Sequence, residues 1–259
     1  MLALAALAGM SAVAQDAAAL ARQAVQIELT ADAHDHSHWL FFDVDRKPEN
    51  TVCQWVAQTA RGDLHRVLQQ KGREQSRAEQ QRTMARFAHD PDAQAKQRKA
   101  AQHDDKQSEE MLRLLPDAFL WTNEGQKDGR VTLHFTPNAN FNPPTWAARV
   151  FAAMEGEMQV DLAQHRIVSL HGRLTRSVRF CGGLCGSLSA GGTFSIERRE
   201  TAPAIWQIVE THVHIHGTAL FFKNISQEED ELRSDFSRLP DAITFEQAEQ
   251  QLMKQPDHP

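Results

Sequence analysis

Between Val131 and Phe222 apolar and polar residues alternate with a period of two, run after run, and almost no helical spacing interrupts them. In Val131-Thr132-Leu133-His134-Phe135-Thr136 every second side chain is apolar, which describes a strand with one face buried. Arg166–Phe180 repeats the pattern, with Val168, Leu170, Leu174, Val178 and Phe180 on one side and Arg173, Thr175, Ser177 and Arg179 on the other. It reads as one long strand or as two joined by a bend at Gly172. Gly191-Gly192 leads into a run over Thr193–Arg199, Ala202-Pro203 breaks it, and Trp206–His216 and Thr218–Lys223 follow. The short connections favour antiparallel hairpins, because parallel neighbours need long crossovers.

Upstream, Ala17–Leu29 places Leu20, Ala21, Ala24 and Ile27 near one helical face, which predicts an N-terminal helix. His38–Val44, Thr51–Ala60 and Leu64–Gln70 predict three strands separated by Pro48-Glu49-Asn50 and Arg61-Gly62-Asp63. From Gln75 to Leu115 the chain turns helical, charged and rich in alanine and glutamine. Ser76-Arg77-Ala78-Glu79 fits a capping box, and Asp90-Pro91 supplies an N-cap and a first helical residue. The scarcity of apolar residues between Asp92 and Glu110 makes this a helical excursion that touches the sheet through Met84, Phe87, Met111, Leu112 and Leu115. Phe119–Asn123 predicts a further strand, Asn138–Pro144 a polar loop, and Thr244-Phe245-Glu246-Gln247 a capped helix to about Met253. The sum is an α+β fold, a strongly curved antiparallel sheet or half-barrel with covering helices and a long charged excursion at 75–115.

The first residues set the expected compartment. An apolar run over Leu2–Met10 precedes Ala12-Val13-Ala14, a small-x-small site of the kind signal peptidase cuts. Residues 1–14 are therefore expected to be a cleaved signal peptide. Residues 15–259 then form a single β-rich domain in the periplasm or cell envelope. The run is too short to span a bilayer, and no later segment reaches that length, so the mature chain is expected to lack a transmembrane segment. No cysteine sits at the expected cleavage site, which argues against a lipid anchor. A net charge of −6 with dispersed Lys and Arg argues against a nucleic-acid partner.

Of three cysteines, Cys53 falls in a predicted strand, while Cys181 and Cys185 flank Gly182-Gly183-Leu184. In an oxidising compartment the latter two could pair, or all three could be free thiols. Histidine offers the sharper chemistry. His212, His214 and His216 share one face of a predicted strand, and His34, His36 and His38 precede the first one. Neutral imidazoles are good ligands for zinc or another transition metal, so the two groups are candidate metal ligands if they meet. The plainer reading is a solvated polar face.

Signatures of catalysis are absent: there is no His-Glu-x-x-His, no phosphate-cradling glycine loop and no nucleophile elbow. No catalytic residue is assigned. Phe135-Thr136-Pro137-Asn138 through Phe141-Asn142-Pro143-Pro144, Met154–Asp161, Gly191-Gly192-Thr193-Phe194 and Ala219–Lys223 resemble uncharacterised secreted bacterial proteins. Those in turn resemble the LolA-like outer-membrane lipoprotein-sorting family. That resemblance implies a half-barrel covered by helices around an apolar hollow that accepts acyl chains, and a periplasmic, non-catalytic binding or carrier role for a lipid, lipoprotein or other apolar partner. No cofactor is implied. The alternative is a histidine-cluster metal-binding protein, which could extend to a metal-dependent enzyme.

Overall fold

The computed structural model describes residues 4–180, 186–218 and 227–257. In chain order the elements are α1 (Leu4–His34), β1 (His38–Lys47), β2 (Asn50–Ala57), β3 (Leu64–Gln70), β4 (Arg73–Glu74), α2 (Arg77–Ala88), α3 (Pro91–Ala118), β5 (Phe119–Lys127) and β6 (Arg130–Pro137). There follow α4 (Trp146–Phe151), β7 (Met154–Asp161), β8 (Ile167–Leu174), β9 (Val178–Phe180), β10 (Gly186–Leu188), β11 (Thr193–Ala202), β12 (Ile205–Ile215), β13 (Gly217–Thr218), β14 (Gln227–Leu239) and α5 (Phe245–Lys254). Antiparallel sheet dominates, as the alternation requires. The strand order is open, since β4 pairs only with β3 and β5 only with β6. No helix among the described residues is long and apolar enough to cross a membrane.

Two compact units emerge, each built from separate stretches of chain. The first comprises Met1–His34, Ser108–Ile208 and His212–Glu228, and the second Asp35–Gln107, Val209–Thr211 and Glu229–Pro259.

In the first unit the strand order is β12-β11-β8-β7-β6-β5, and a small sheet adds β13-β10-β9. The turn from β5 to β6 is Asp128-Gly129, with φ of 51° and 76°. Both values are positive, as a two-residue hairpin turn that follows strand twist demands. One sheet face carries Val131, Leu133, Phe135, Met158, Val160 and Leu174, all buried. Ala17, Ala21, Ala24 and Val25 of α1 belong to the same core cluster. Their i, i+4, i+7, i+8 spacing is a helical stripe, and its small side chains let the helix sit close. At the far end of α1, Glu28 is 1% exposed. Its carboxylate accepts hydrogen bonds from Arg166 Nε at 3.0 Å, Arg166 Nη2 at 2.8 Å and the Ile167 amide at 2.7 Å, and it pairs with Arg198. Burial pushes the Glu28 carboxyl up, but the two guanidinium groups outweigh it and hold it below its ordinary value.

Gly172 does not bend the chain. It lies inside β8 opposite Gly156, and a Cβ there would come within 2.2 Å of the Phe194 ring. The glycine makes room for an aromatic side chain, and the break in the long run falls instead at Thr175–Ser177, before β9. Helical structure also enters the region read as strands alone, because Thr145 caps α4 by accepting from the Ala148 amide at 3.1 Å.

In the second unit the order is β4-β3-β2-β1-β14. Lys71-Gly72, with φ of 53° and 71°, turns β3 into β4. Leu40, Trp55, Ala57, Leu64 and Leu68 form a buried cluster with Met84 of α2 and Phe245, Ala248 and Leu252 of α5. Both capping boxes are formed, Ser76 with Glu79 and Thr244 with Gln247. Asp90 accepts from the Ala93 amide at 2.9 Å ahead of Pro91, and α3 is exposed throughout residues 99–110. Arg66, fully buried, fastens the end of the chain. It donates to the Leu252 and Gln255 carbonyls at 2.9 and 2.7 Å, to Gln80 Oε1 at 2.8 Å, and pairs with Asp257. The acidic segment that becomes β14 carries no strand signal in its sequence.

Candidate functional site

The second unit's sheet is unusual in being apolar on both faces. Leu40 and Trp55 point into the cluster with α2 and α5. On the other face stand Trp39 and Phe41, 2% and 5% exposed. Phe236 of β14 joins them, stacked on Phe41 with centroids 5.3 Å apart and edge-on to Trp39 at 6.3 Å. An antiparallel sheet in a soluble chain commonly leaves its second face polar. Here a register shift between Leu40 and Phe42 in the pairing of β1 with β14 coincides with Asp235 at φ 55°, the signature of a β-bulge. The extra residue returns Phe236 and Arg233, three positions apart, to one face, and Arg233 lies 5.3 Å over the Phe41 ring.

Beside the aromatics, on the same sheet face, runs a part-buried polar chain. The Gln97 side-chain amide of α3 donates to His65 Nε2 at 3.2 Å and to the Asp63 carbonyl at 3.0 Å, while its oxygen accepts from the Asp63 amide at 2.8 Å. His65 Nδ1 lies 3.2 Å from Gln54 Oε1, and Gln54 Nε2 donates to Asp43 Oδ2 at 2.8 Å. These contacts require a neutral His65 with its proton on Nδ1, since Nε2 must accept. Burial lowers the His65 pKa to about 4, which agrees. Asp43 is pushed up to about 6, first by burial and then by the neighbouring Glu231, against the opposing pull of Gln54 and Arg233. Its Oδ1 accepts no hydrogen bond, and Arg233 Nε stands 3.8 Å away, beyond hydrogen-bond reach. Asp45 Oδ1 is likewise without a donor.

This constellation went unread in the sequence, although one signal was present. Trp39, Phe41 and Asp43 share strand parity, so a carboxylate sits in an aromatic row. The sequence also gave no reason to single out a second arrangement, on the open face of the first unit. Ser195 Oγ lies 2.8 Å from His171 Nδ1, and His171 Nε2 lies 2.9 Å from Glu197 Oε1. His171 and Glu197 side chains are 45% and 36% exposed. In water these are cross-strand polar contacts of about 0.2–1 kcal/mol each.

The histidines expected to bind metal are placed as follows. His34 ends α1, exposed, with Nδ1 2.7 Å from the Thr30 carbonyl, and His36 is exposed in the following link. His38 opens β1, half-buried, its Nδ1 without a hydrogen-bond partner. His212 and His214 lie on β12, half-buried and exposed respectively, and His216 follows the strand with Nδ1 3.5 Å from Glu228. Among the described residues no group of three or more His, Cys, Asp or Glu side chains is arranged to hold a metal ion. Cys53 is a half-buried free thiol on β2, its pKa raised by burial. Cys181 and Cys185 lie outside the described residues, as does the Ala219–Lys223 segment.

No protein-family model, curated protein or solved structure matches this chain.

Proposed function

We propose that this chain is a non-catalytic binding or carrier protein of the periplasm or cell envelope, exported by a cleaved signal peptide, that takes a lipid, a lipoprotein or another apolar partner. The observation that carries this reading is the second apolar face of the β1–β2–β14 sheet. Trp39, Phe41 and Phe236 form an aromatic cluster on the side opposite α2 and α5. Ligand sites combine such apolar linings with a few placed polar groups, and Asp43, Gln54 and Arg233 stand beside these rings. An acyl chain laid along them gains about 0.8 kcal/mol for each methylene removed from water. Because Trp39 and Phe41 are shielded from solvent, entry of a guest would displace the side chains that shield them. The resemblance to lipoprotein-sorting proteins points to the same role.

Native mass spectrometry of the protein taken from its own envelope tests the proposal. A stoichiometric lipid adduct that is lost on organic extraction is the expected result. A bare polypeptide mass from gentle purification, or a stoichiometric transition metal in place of lipid, overturns it. N-terminal sequencing of the same material is expected to begin at Gln15.

A further inference from the structure

Trp146 is 66% exposed, the most of any large apolar side chain among the described residues. It opens α4 in the first unit, and Arg149 follows three positions later on the same outward side, while Ala148 and Val150 are buried. α4 packs against β9, and the link from β8 to β9 is fastened to the residues that follow the helix. There the Thr175 amide and hydroxyl both donate to the Ala153 carbonyl, at 3.0 and 2.8 Å. Arg176 comes next and is exposed, and Arg179 stands exposed on β9, whose Val178 shares the core cluster of Val150 and Ala153. Three guanidinium groups and an indole are thus gathered at the end of the sheet where β7 begins and β8 ends. In a chain where Asp and Glu outnumber Lys and Arg by 34 to 28, no Asp or Glu occurs in residues 129–154 or 162–196. Of the carboxylates that flank the region, Glu155 is held by Arg173 and Glu228 stands beside His216. Among the described residues no carboxylate pairs with Arg149, Arg176 or Arg179.

Independently of the carrier reading, we propose that this end of the first unit docks on an anionic phospholipid surface, with Arg149, Arg176 and Arg179 on the lipid phosphates and the Trp146 ring in the headgroup layer. Guanidinium groups match phosphate oxygens in pairs of hydrogen bonds. The indole is apolar over most of its surface and carries one N–H donor, the combination that settles at a membrane–water boundary. A protein partner would call for an apolar centre larger than one ring, and a nucleic acid for more phosphate contacts than three arginines make. A flat anionic layer asks for neither.

The probes are vesicles of phosphatidylcholine alone and vesicles in which about one-third of the lipid is phosphatidylglycerol, mixed with the mature chain and sedimented. Partition into the anionic vesicles is expected to be at least about tenfold stronger and to fall as salt is raised. Arg149→Gln, Arg176→Gln and Arg179→Gln combined are expected to remove most of that difference. Trp146→Ser is expected to weaken partition several-fold and to abolish quenching of tryptophan fluorescence by brominated acyl chains in the same vesicles. Arg82→Gln with Arg86→Gln, at two exposed positions of α2 in the second unit, removes charge elsewhere and is expected to bind as the wild type does. Equal partition into the two kinds of vesicle, or none into either, overturns the proposal. So does anionic binding that survives the three arginine substitutions and Trp146→Ser, which would place the contact elsewhere on the chain. Displacement from the vesicles by an equal charge of soluble polyglutamate would assign the patch to an acidic protein and overturns it as well. The wild-type comparison of the two vesicles decides the matter even if a variant fails to fold.

Discussion

The two units solve the problem of a sheet's second face in different ways. In the first, the face away from α1 carries Thr132, His134, Glu157, His171 and Glu197, and water satisfies whatever the side chains do not. In the second, the face away from α2 and α5 carries Trp39, Phe41 and Phe236 together with buried Asp43 and half-buried His65. Charge therefore has opposite standing in the two units. Glu28, the one buried carboxylate of the first among the described residues, is saturated by guanidinium and amide donors and serves to hold a helix. The buried carboxylate of the second keeps an oxygen without a donor beside an apolar surface. A saturated buried ion pair is a fastening, whereas an incomplete one leaves an acceptor that has lost its hydration.

The sharpest way to break this contrast is to remove the fastening. Glu28→Ala leaves Arg166 and Arg198 buried without a counter-charge, and a loss of about 3–5 kcal/mol in unfolding free energy is expected by urea titration. A loss below about 1 kcal/mol would show that α1 is held by its alanine stripe alone. Glu28 also carries a pH signature. Its folded pKa lies below the unfolded value, so its contribution is present above the ordinary carboxylate range and is lost as pH falls through the depressed value.

Next in size are two opposed titrations in the second unit. Asp43 is raised to about 6, so the folded chain binds its proton more tightly. The stability it contributes is full below its unfolded pKa and disappears as pH rises from about 4 to about 6, by on the order of 3 kcal/mol. His65 is lowered to about 4. Its contribution is present above its unfolded pKa and is lost as pH falls from about 6.5 through about 4, by a similar amount. The two slopes oppose each other over much of the same range. The wild-type profile is expected to be shallow between pH 4 and 6. Asp43→Asn should make stability climb steeply over that range, and His65→Gln should make it fall. Thermal or urea unfolding of the three chains across pH 4–7 checks this, and parallel profiles would mean that neither group is linked to folding.

Smaller effects probe local geometry. Gly172→Ala places a methyl group against the Phe194 ring, and a loss of about 1–3 kcal/mol is expected, with near-ultraviolet circular dichroism reporting the displaced aromatic. Smallest is Thr244→Ala, which removes the cap of α5 for about 1 kcal/mol, measured by urea unfolding.

Much of the fold could be read along the chain. Strands β3 and β6 follow period-two alternation, and both capping boxes formed where Ser-x-x-Glu and Thr-x-x-Gln announced them. β14 could not be read this way. Gln227-Glu228-Glu229-Asp230-Glu231 looks like solvated charge, yet Asp230 and Glu231 pair with Arg46 and Asp45 of β1, and Lys47 meets Glu229 across the pair. The six histidines were legible as a pattern of residue types, but which of them converge is a question of distance, and spacing along one strand carries no information about another.

The sequence by itself determined the local grammar of this protein: where strands alternate, where helices are capped, and where Asp-Gly and Lys-Gly permit tight hairpins. Those features depend on residues a few positions apart, whose mutual geometry the backbone dihedrals dictate. Only the tertiary structure decided that one sheet region would be apolar on both faces and would hold a carboxylate among aromatic rings. A single extra residue at Asp235 shifts the parity of β14. That shift depends on pairing with a strand nearly two hundred positions earlier, a long-range choice that no local pattern encodes.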